Sequence, residues 1–320
     1  MNQISSPTRN AALGAMFMLA ASLAFAGSNT LQSVLPWQFN MSSTGMAFWQ
    51  YVIASLLALP LIMRIGLQNL RTRHPMLHEL RAFVSALGVH VFVYGFASGV
   101  PIWQMVTLLA TGPLFIIMGS YFFLGERVSA ARLGAAVVGF IGAVIVSGVG
   151  SEGFSAQTLI PILAAALWAG TDIITKHLAR EESPETLTIS LLLLVTPNHL
   201  AILLIVNALG WLAPTVLPAG LATGFPFALP EGFGLLLLLL LGALTAAANY
   251  LLAFAYRNAD ATYLQPFGDL KVPLGGLIGW IALGQVPSGY FWIGALLIVG
   301  ASVFIYWVER DSTPNRLQTA

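Results

Sequence analysis

The chain has 320 residues, 58% of them hydrophobic and 8% charged, with a net charge of +1 and no cysteine. Soluble proteins carry roughly 25% charged residues, so this much apolar surface calls for lipid rather than water as the solvent. The lack of cysteine excludes disulfides, thiolate nucleophiles and cysteine metal sites, and His74, His78, His90, His177 and His199 lack metal-ligand spacing.

Ten apolar segments are long enough to cross a bilayer, which takes about 20 residues each: 11–32, 44–63, 82–98, 101–124, 131–149, 158–178, 187–209, 233–256, 260–284 and 289–307. The first contains Ala24-Phe25-Ala26, which could pass for a signal-peptide cleavage site. Nine similar runs follow it, so it is read as the first span. The second carries Trp49-Gln50-Tyr51, and the third sets His90 and Tyr94 one helical turn apart. Gln104, Thr107 and Thr111 make a polar stripe on the fourth. The sixth carries Trp168, Thr171 and Asp172, with Lys176 one turn beyond. The seventh has Asn198-His199 after Pro197, and the eighth has Thr245 with Asn249-Tyr250. The ninth is the most unusual, with Gln265, Pro266, Gly268, Asp269, Lys271 and Pro273 crowded together.

Basic residues orient these spans. If ten spans alternate, Arg9, Arg64, Arg71, Arg73, Arg81, Arg127, Arg132, Lys176, Arg180, Arg257, Arg310 and Arg316 all fall on one side, and the opposite loops have no Lys or Arg. The excess of positive charge marks the cytoplasmic side, so both termini are expected inside a bacterial inner membrane. The loop at about 210–232, rich in Gly and Pro with only Glu231 charged, then lies outside.

The two halves are alike. Span four ends in Tyr121-Phe-Phe-Leu-Gly125-Glu126-Arg-Val-Ser129 and leads to Gly134-Ala135; span nine ends in Trp280-Ile-Ala-Leu-Gly284-Gln285-Val-Pro-Ser288 and leads to Gly294-Ala295. Five spans per copy turn the second copy upside down. The expected fold is an all-α integral membrane protein of ten transmembrane helices, built as two inverted five-helix repeats at 1–150 and 157–309 with a cytoplasmic tail at 310–320. Such repeats favour alternating access around a site near the midplane. Rows of small residues, Ala20, Ala24 and Ser28, or Ala135, Gly139, Ala143 and Ser147, suit close helix packing in lipid.

The stretch Thr111-Gly-Pro113-Leu-Phe through Leu124-Gly125-Glu126-Arg127, echoed by Leu264-Gln-Pro266-Phe-Gly268-Asp269-Leu-Lys271-Val-Pro273 and Leu283-Gly284, resembles the EamA-type family of the drug/metabolite transporter superfamily. The resemblance covers essentially the whole chain and implies small organic metabolites as cargo. One departure is Gln285, where the family's second repeat often carries Glu.

Charges inside hydrocarbon are costly, roughly 2.5–3.5 kcal/mol each on insertion scales, so each is a functional candidate. Asp269 and Lys271 lie about ten residues into span nine, roughly 15 Å deep, beside Pro266, Gly268 and Pro273, which should interrupt the helix. They are the leading substrate or ion site, with Gln265 on the same face as Asp269. Asp172, Trp168, His90, Tyr94, Gln104 and Asn249 complete the candidate set, with His90 and His199 as candidates for proton coupling. For most of these a plain interhelical hydrogen bond is the competing role, and for Asp269 and Lys271 a packing ion pair. Glu126-Arg127 and the basic inner loops, including Arg71-Thr-Arg73-His74, are read as structure and topology.

The function expected is a secondary transporter of a small polar metabolite, not an enzyme. No nucleotide-binding loop is present, and no cofactor, metal or nucleic acid is called for. The partners are the lipid bilayer, a small-molecule substrate and a coupling proton or ion; nothing in the sequence sets an oligomeric state. An intramembrane aspartyl protease would need Gly-x-Gly-Asp, where this chain has Pro266-Phe-Gly-Asp269; a passive channel suits the duplicated, interrupted spans less well. Asp269 with Lys271 favours a zwitterionic amino acid as cargo, and the aromatic content offers a flat vitamin or nucleoside-like compound as the alternative.

Overall fold

The computed structural model describes residues 11–66, 72–125, 129–148, 155–178, 180–182, 184–213, 215, 217, 221, 227–258, 264, 267 and 270–312. Among these the regular structure is entirely helical. The helices are α1 (Ala11–Phe39), α2 (Ser43–Ile65), α3 (Pro75–Ala97), α4 (Ile102–Leu109), α5 (Gly112–Leu124), α6 (Ala130–Ser147), α7 (Ile160–Leu178), α8 (Pro184–Leu212), α9 (Phe233–Asn258), α10 (Lys271–Leu283) and α11 (Gly289–Ser312). A 3-10 turn at Ala156–Leu159 leads into α7. Six helical stretches among the described residues are long and apolar enough to cross a membrane, and three shorter apolar ones accompany them.

Two boundaries differ from the sequence reading, each for a backbone reason. Helix α3 begins at Pro75 rather than 82, because proline at the first position gives up only an N–H that has no helical partner. That draws His78 and Arg81 into the helix. Span four is broken: Ala110 and Thr111 donate their N–H groups three residues back, to Thr107 and Leu108, and α5 restarts at Gly112-Pro113. Pro113 has no N–H to continue the ladder.

In span nine, residues 265, 266, 268 and 269 lie outside the described residues. Helix α10 starts at Lys271, and Pro273 sits in its first turn, where it interrupts nothing. Helices α5 and α10 have 13 residues each, and each ends on a left-handed glycine, Gly125 with φ 65° and Gly284 with φ 66°. A side chain at either glycine would be strained. Gln285, in place of the family's Glu, accepts a hydrogen bond from the Ile102 N–H at 2.9 Å, so an amide oxygen suffices to satisfy the start of α4.

The principal pairings are α1 with α9 and α10, α2 with α8 and α9, α3 with α7 and α8, α4 with α10, α5 with α7, and α6 with α11. This set maps onto itself when α1, α2, α3, α4–α5 and α6 are exchanged for α7, α8, α9, α10 and α11. The α6–α11 crossing is backbone against backbone: a Cβ at Gly142 would lie 2.8 Å from the Gly294 carbonyl oxygen, and one at Gly294 would lie 2.7 Å from that of Gly142. Glycine is what lets the two helices come so close.

Substituting Ala at Gly142 or Gly294 is expected to destabilise the fold by about 1–3 kcal/mol, the usual cost of overpacking. Gly300→Ala, where nothing lies within 4 Å, should be neutral. Thermal melts of detergent-purified protein measure the difference.

Candidate functional site

Polar residues one turn apart on α1, Ser28 and Gln32, meet Gln50 of α2 and Thr245 of α9 in a buried layer. Gln32 Nε2 donates to Gln50 Oε1 at 3.2 Å, and Gln50 Nε2 donates to Thr245 Oγ1 at 2.9 Å. Ser28 Oγ lies 3.3 Å from Thr245 Oγ1, while the Thr245 hydroxyl is held by the Leu241 carbonyl. Gln32 Oε1 is buried with no partner among the described residues. Hydrocarbon offers no competing donors, so such a layer orders α1, α2 and α9 around itself.

Aromatic rings flank this layer. Tyr51, next to Gln50, stacks on His199 of α8 with ring centres 4.3 Å apart. His199 Nδ1 is 3.1 Å from His90 Nε2 of α3. Trp168 of α7 packs against Phe92 at 5.5 Å and donates its Nε1–H to the Ser85 carbonyl. Trp168 fits because α3 has glycine at position 88, where a Cβ would lie 2.7 Å from its indole nitrogen. Tyr94 is half-buried one turn beyond His90.

The remaining candidates are dispersed. Gln104 is buried and donates to the Val146 carbonyl of α6 at 3.0 Å. Asn249 is exposed on α9 with its amide on the Thr245 carbonyl. Asp172 is exposed on α7 and engaged in an interaction, as is Lys176. Gln265 and Asp269 lie outside the described residues, as do Glu126 and Arg127; Lys271 opens α10, with its side chain outside them too.

At the end of the bundle that carries the basic loops, the structure holds a cluster that the sequence reading had assigned to topology alone. Arg81 is only 1% exposed. Its Nη2 donates to the Leu187 carbonyl of α8 and approaches His78 Nδ1 at 3.5 Å; its Nη1 is 3.4 Å from Thr175 Oγ1 of α7. His78 Nε2 meets Glu182 Oε2 at 2.6 Å, and Thr72 hydrogen-bonds the other Glu182 oxygen. The His78 ring thus bridges the guanidinium and the carboxylate. His74 and Glu181 add a pair at 3.0 Å with Glu181 well exposed, a kind worth little by itself. The signal was present: Pro75 marks a helix start, and His78 and Arg81 at i,i+3 then share a face.

Burial opposes ionisation of Glu182, but hydrogen bonds from Thr72 and His78 outweigh it and hold the carboxyl below its ordinary 4.5. An ionised carboxylate with these donors ties the α2–α3 linker and α3 to the α7–α8 linker.

The family model of the EamA-like transporter family matches residues 12–148 and again 156–307. A riboflavin transporter of Rhizobium johnstonii is 44% identical over 95% of this chain and 95% of its own length. A riboflavin transporter of Brucella anthropi is 42% identical over 93% and 99%. A solved crystal structure covering 94% of this chain and 99% of its own superposes with a TM-score of 0.59 at 18% identity, which speaks for the fold.

Glu182→Gln should lower the melting temperature in detergent at neutral pH, with a loss of about 1–3 kcal/mol for a buried charge-assisted network. Because the folded carboxyl titrates below 4.5, its contribution is present above that value and disappears as pH falls through the lower folded value. The gap between wild type and variant should therefore close on acidification.

Proposed function

Since the chain belongs to the EamA-like transporter family, we propose that this multi-pass membrane protein is a secondary transporter of a flat, uncharged vitamin-type metabolite, riboflavin first among them. The observation that carries the substrate is the end-to-end likeness to riboflavin transporters, 44% over 95% of both chains. The described interior agrees with it. Gln32, Gln50, Ser28 and Thr245 supply neutral donors and acceptors, and Trp168, Tyr94 and Trp49 supply aromatic surface. A heteroaromatic ring with amide-like edges and a polyol chain needs just those groups. An amino acid, favoured by the pairing of Asp269 with Lys271, has less support: the relatives' names point to a vitamin.

The machinery we propose is two inverted five-helix halves, 1–150 and 157–309, with both termini in the cytoplasm of a bacterial cell. Three features support it: the self-matching helix pairings, the twin helices α5 and α10, and the double match of the family model. The Arg81–His78–Glu182 cluster joins the first half to the second at the basic end, and in this reading it serves as the cytoplasmic closure. Alternating access requires it to part when the halves rock. Asp269, Lys271 and Gln265 are retained as candidates for lining the path between α4 and α10.

Purified protein in liposomes should exchange labelled riboflavin with saturable kinetics and should ignore a panel of amino acids. Amino-acid exchange without riboflavin exchange would overturn the reading. Trp168→Ala should weaken riboflavin transport about 2- to 10-fold, equivalent to losing one aromatic contact of about 0.5–1.5 kcal/mol.

A further inference from the structure

We propose that His90 and His199 together form the binding site of a single coupling proton. His199 is fully buried and His90 is 4% exposed. Their rings share one contact, Nδ1 of His199 to Nε2 of His90 at 3.1 Å. The outward nitrogens, His90 Nδ1 and His199 Nε2, are buried with no hydrogen-bond partner among the described residues.

Counting protons shows what this arrangement can hold. Two neutral imidazoles carry two N–H groups and two bare nitrogens. One N–H is used in the shared contact, with one bare nitrogen accepting it. That leaves one N–H and one bare nitrogen, and whichever ring donates across the pair, the two face outward unpartnered. A pair serving only to pin α3 to α8 would leave two polar atoms buried and unsatisfied, which packing alone does not favour. The bare nitrogen can take one proton, after which the pair is an imidazolium hydrogen-bonded to an imidazole. A second proton would remove the shared contact and set two positive rings against each other. With both rings out of contact with solvent, a proton is the ligand that needs no cavity.

The surroundings fit a site that charges only when opened. Tyr51 of α2 stacks on His199 with its ring tilted by 26°. Tyr94 lies one turn beyond His90 on α3 itself. Glu79, near the start of α3, reaches the neighbour of His199, its Oε1 accepting from Asn198 Nδ2 at 2.9 Å; Asp172 and Lys176 lie toward that end of α7, and Glu185 at the start of α8. Helices α1 and α4 carry no ionisable residue. Among the described residues no carboxylate is hydrogen-bonded to either ring, and Glu79 is engaged by Asn198. Pro197, two residues before His199, interrupts the hydrogen-bond ladder of α8 and gives the helix a place to bend. A bend there separates the rings and admits water to the bare nitrogen. Proton loading would then accompany rocking of α3 in one half against α8 in the other.

The coupling role rests on the transport reading above, but proton binding does not, and the two are measured separately. Without any cargo, proton uptake by the detergent-purified chain is read with a pH indicator on acidification from about pH 8 to pH 5, the range in which histidine titrates. The double variant His90→Gln/His199→Gln should bind one proton fewer than wild type. A difference of zero means an inert packing pair, a difference of two means independent rings, and either overturns the proposal. In liposomes, an acid-outside gradient of about one pH unit should raise riboflavin accumulation by wild type about tenfold, one coupled proton per pH unit being a factor of ten in concentration ratio, and the stimulation ratio should fall to about one in each single variant. Riboflavin exchange with no stimulation of wild type by the gradient overturns the proposal even if the variants do not fold. Absence of riboflavin exchange in wild type sinks the vitamin reading instead, and the proton count still decides this one.

Discussion

Lipid cannot hydrogen-bond, and that constraint organises the whole molecule. Every buried donor and acceptor needs a partner from within the chain, because an unpaired one in hydrocarbon costs several kcal/mol. Helices satisfy the backbone, and the side chains that remain polar gather where they can satisfy one another. The Gln32–Gln50–Thr245 layer and the Arg81–His78–Glu182 cluster are two such gatherings, and each draws together helices from both halves of the chain. Partners run out among the described residues at Gln32 Oε1, Trp49 Nε1, Arg81 Nε, Ser120 Oγ and the outward nitrogens of His90 and His199.

The same constraint sets how helices hold to one another. Apolar surface gives no net attraction between helices in lipid, so fixed contacts come from close backbone approach, as at Gly142 and Gly294 between α6 and α11. The inner cluster is different in kind. It relies on an ionised Glu182 held by two donors.

Legibility of the site varied with the distance over which its residues act. His90 with Tyr94, Gln104, Trp168 and Asn249 could be found as polar or aromatic positions within apolar spans, since the price of polarity in lipid is readable residue by residue. Their partners could not. That Gln104 would spend its amide on the Val146 carbonyl, or that His90 would face His199 rather than a ligand, depends on how α3, α4, α6 and α8 are set against each other. Arg81 was counted as a loop charge because the start of α3 was set seven residues too late. From Pro75 onward it belongs to the helix, and burial follows from the turn it occupies.

The sequence alone marked the chain as a membrane protein, because hydropathy, glycine-ended spans and their duplication are local properties written along the chain, while its motifs around Pro113 and Gly125 resemble the EamA-like family. The break before α5 is not in the sequence reading, which takes 101–124 as one span; the structure shows α4 ending at Leu109 and α5 restarting at Gly112-Pro113. Only the tertiary structure decided which polar residues meet. The contact of Glu182 with His78 spans 104 residues, and the histidine pair spans 109. Contacts of that range are set by helix packing, and no periodicity along the chain records which face of α3 turns toward α8.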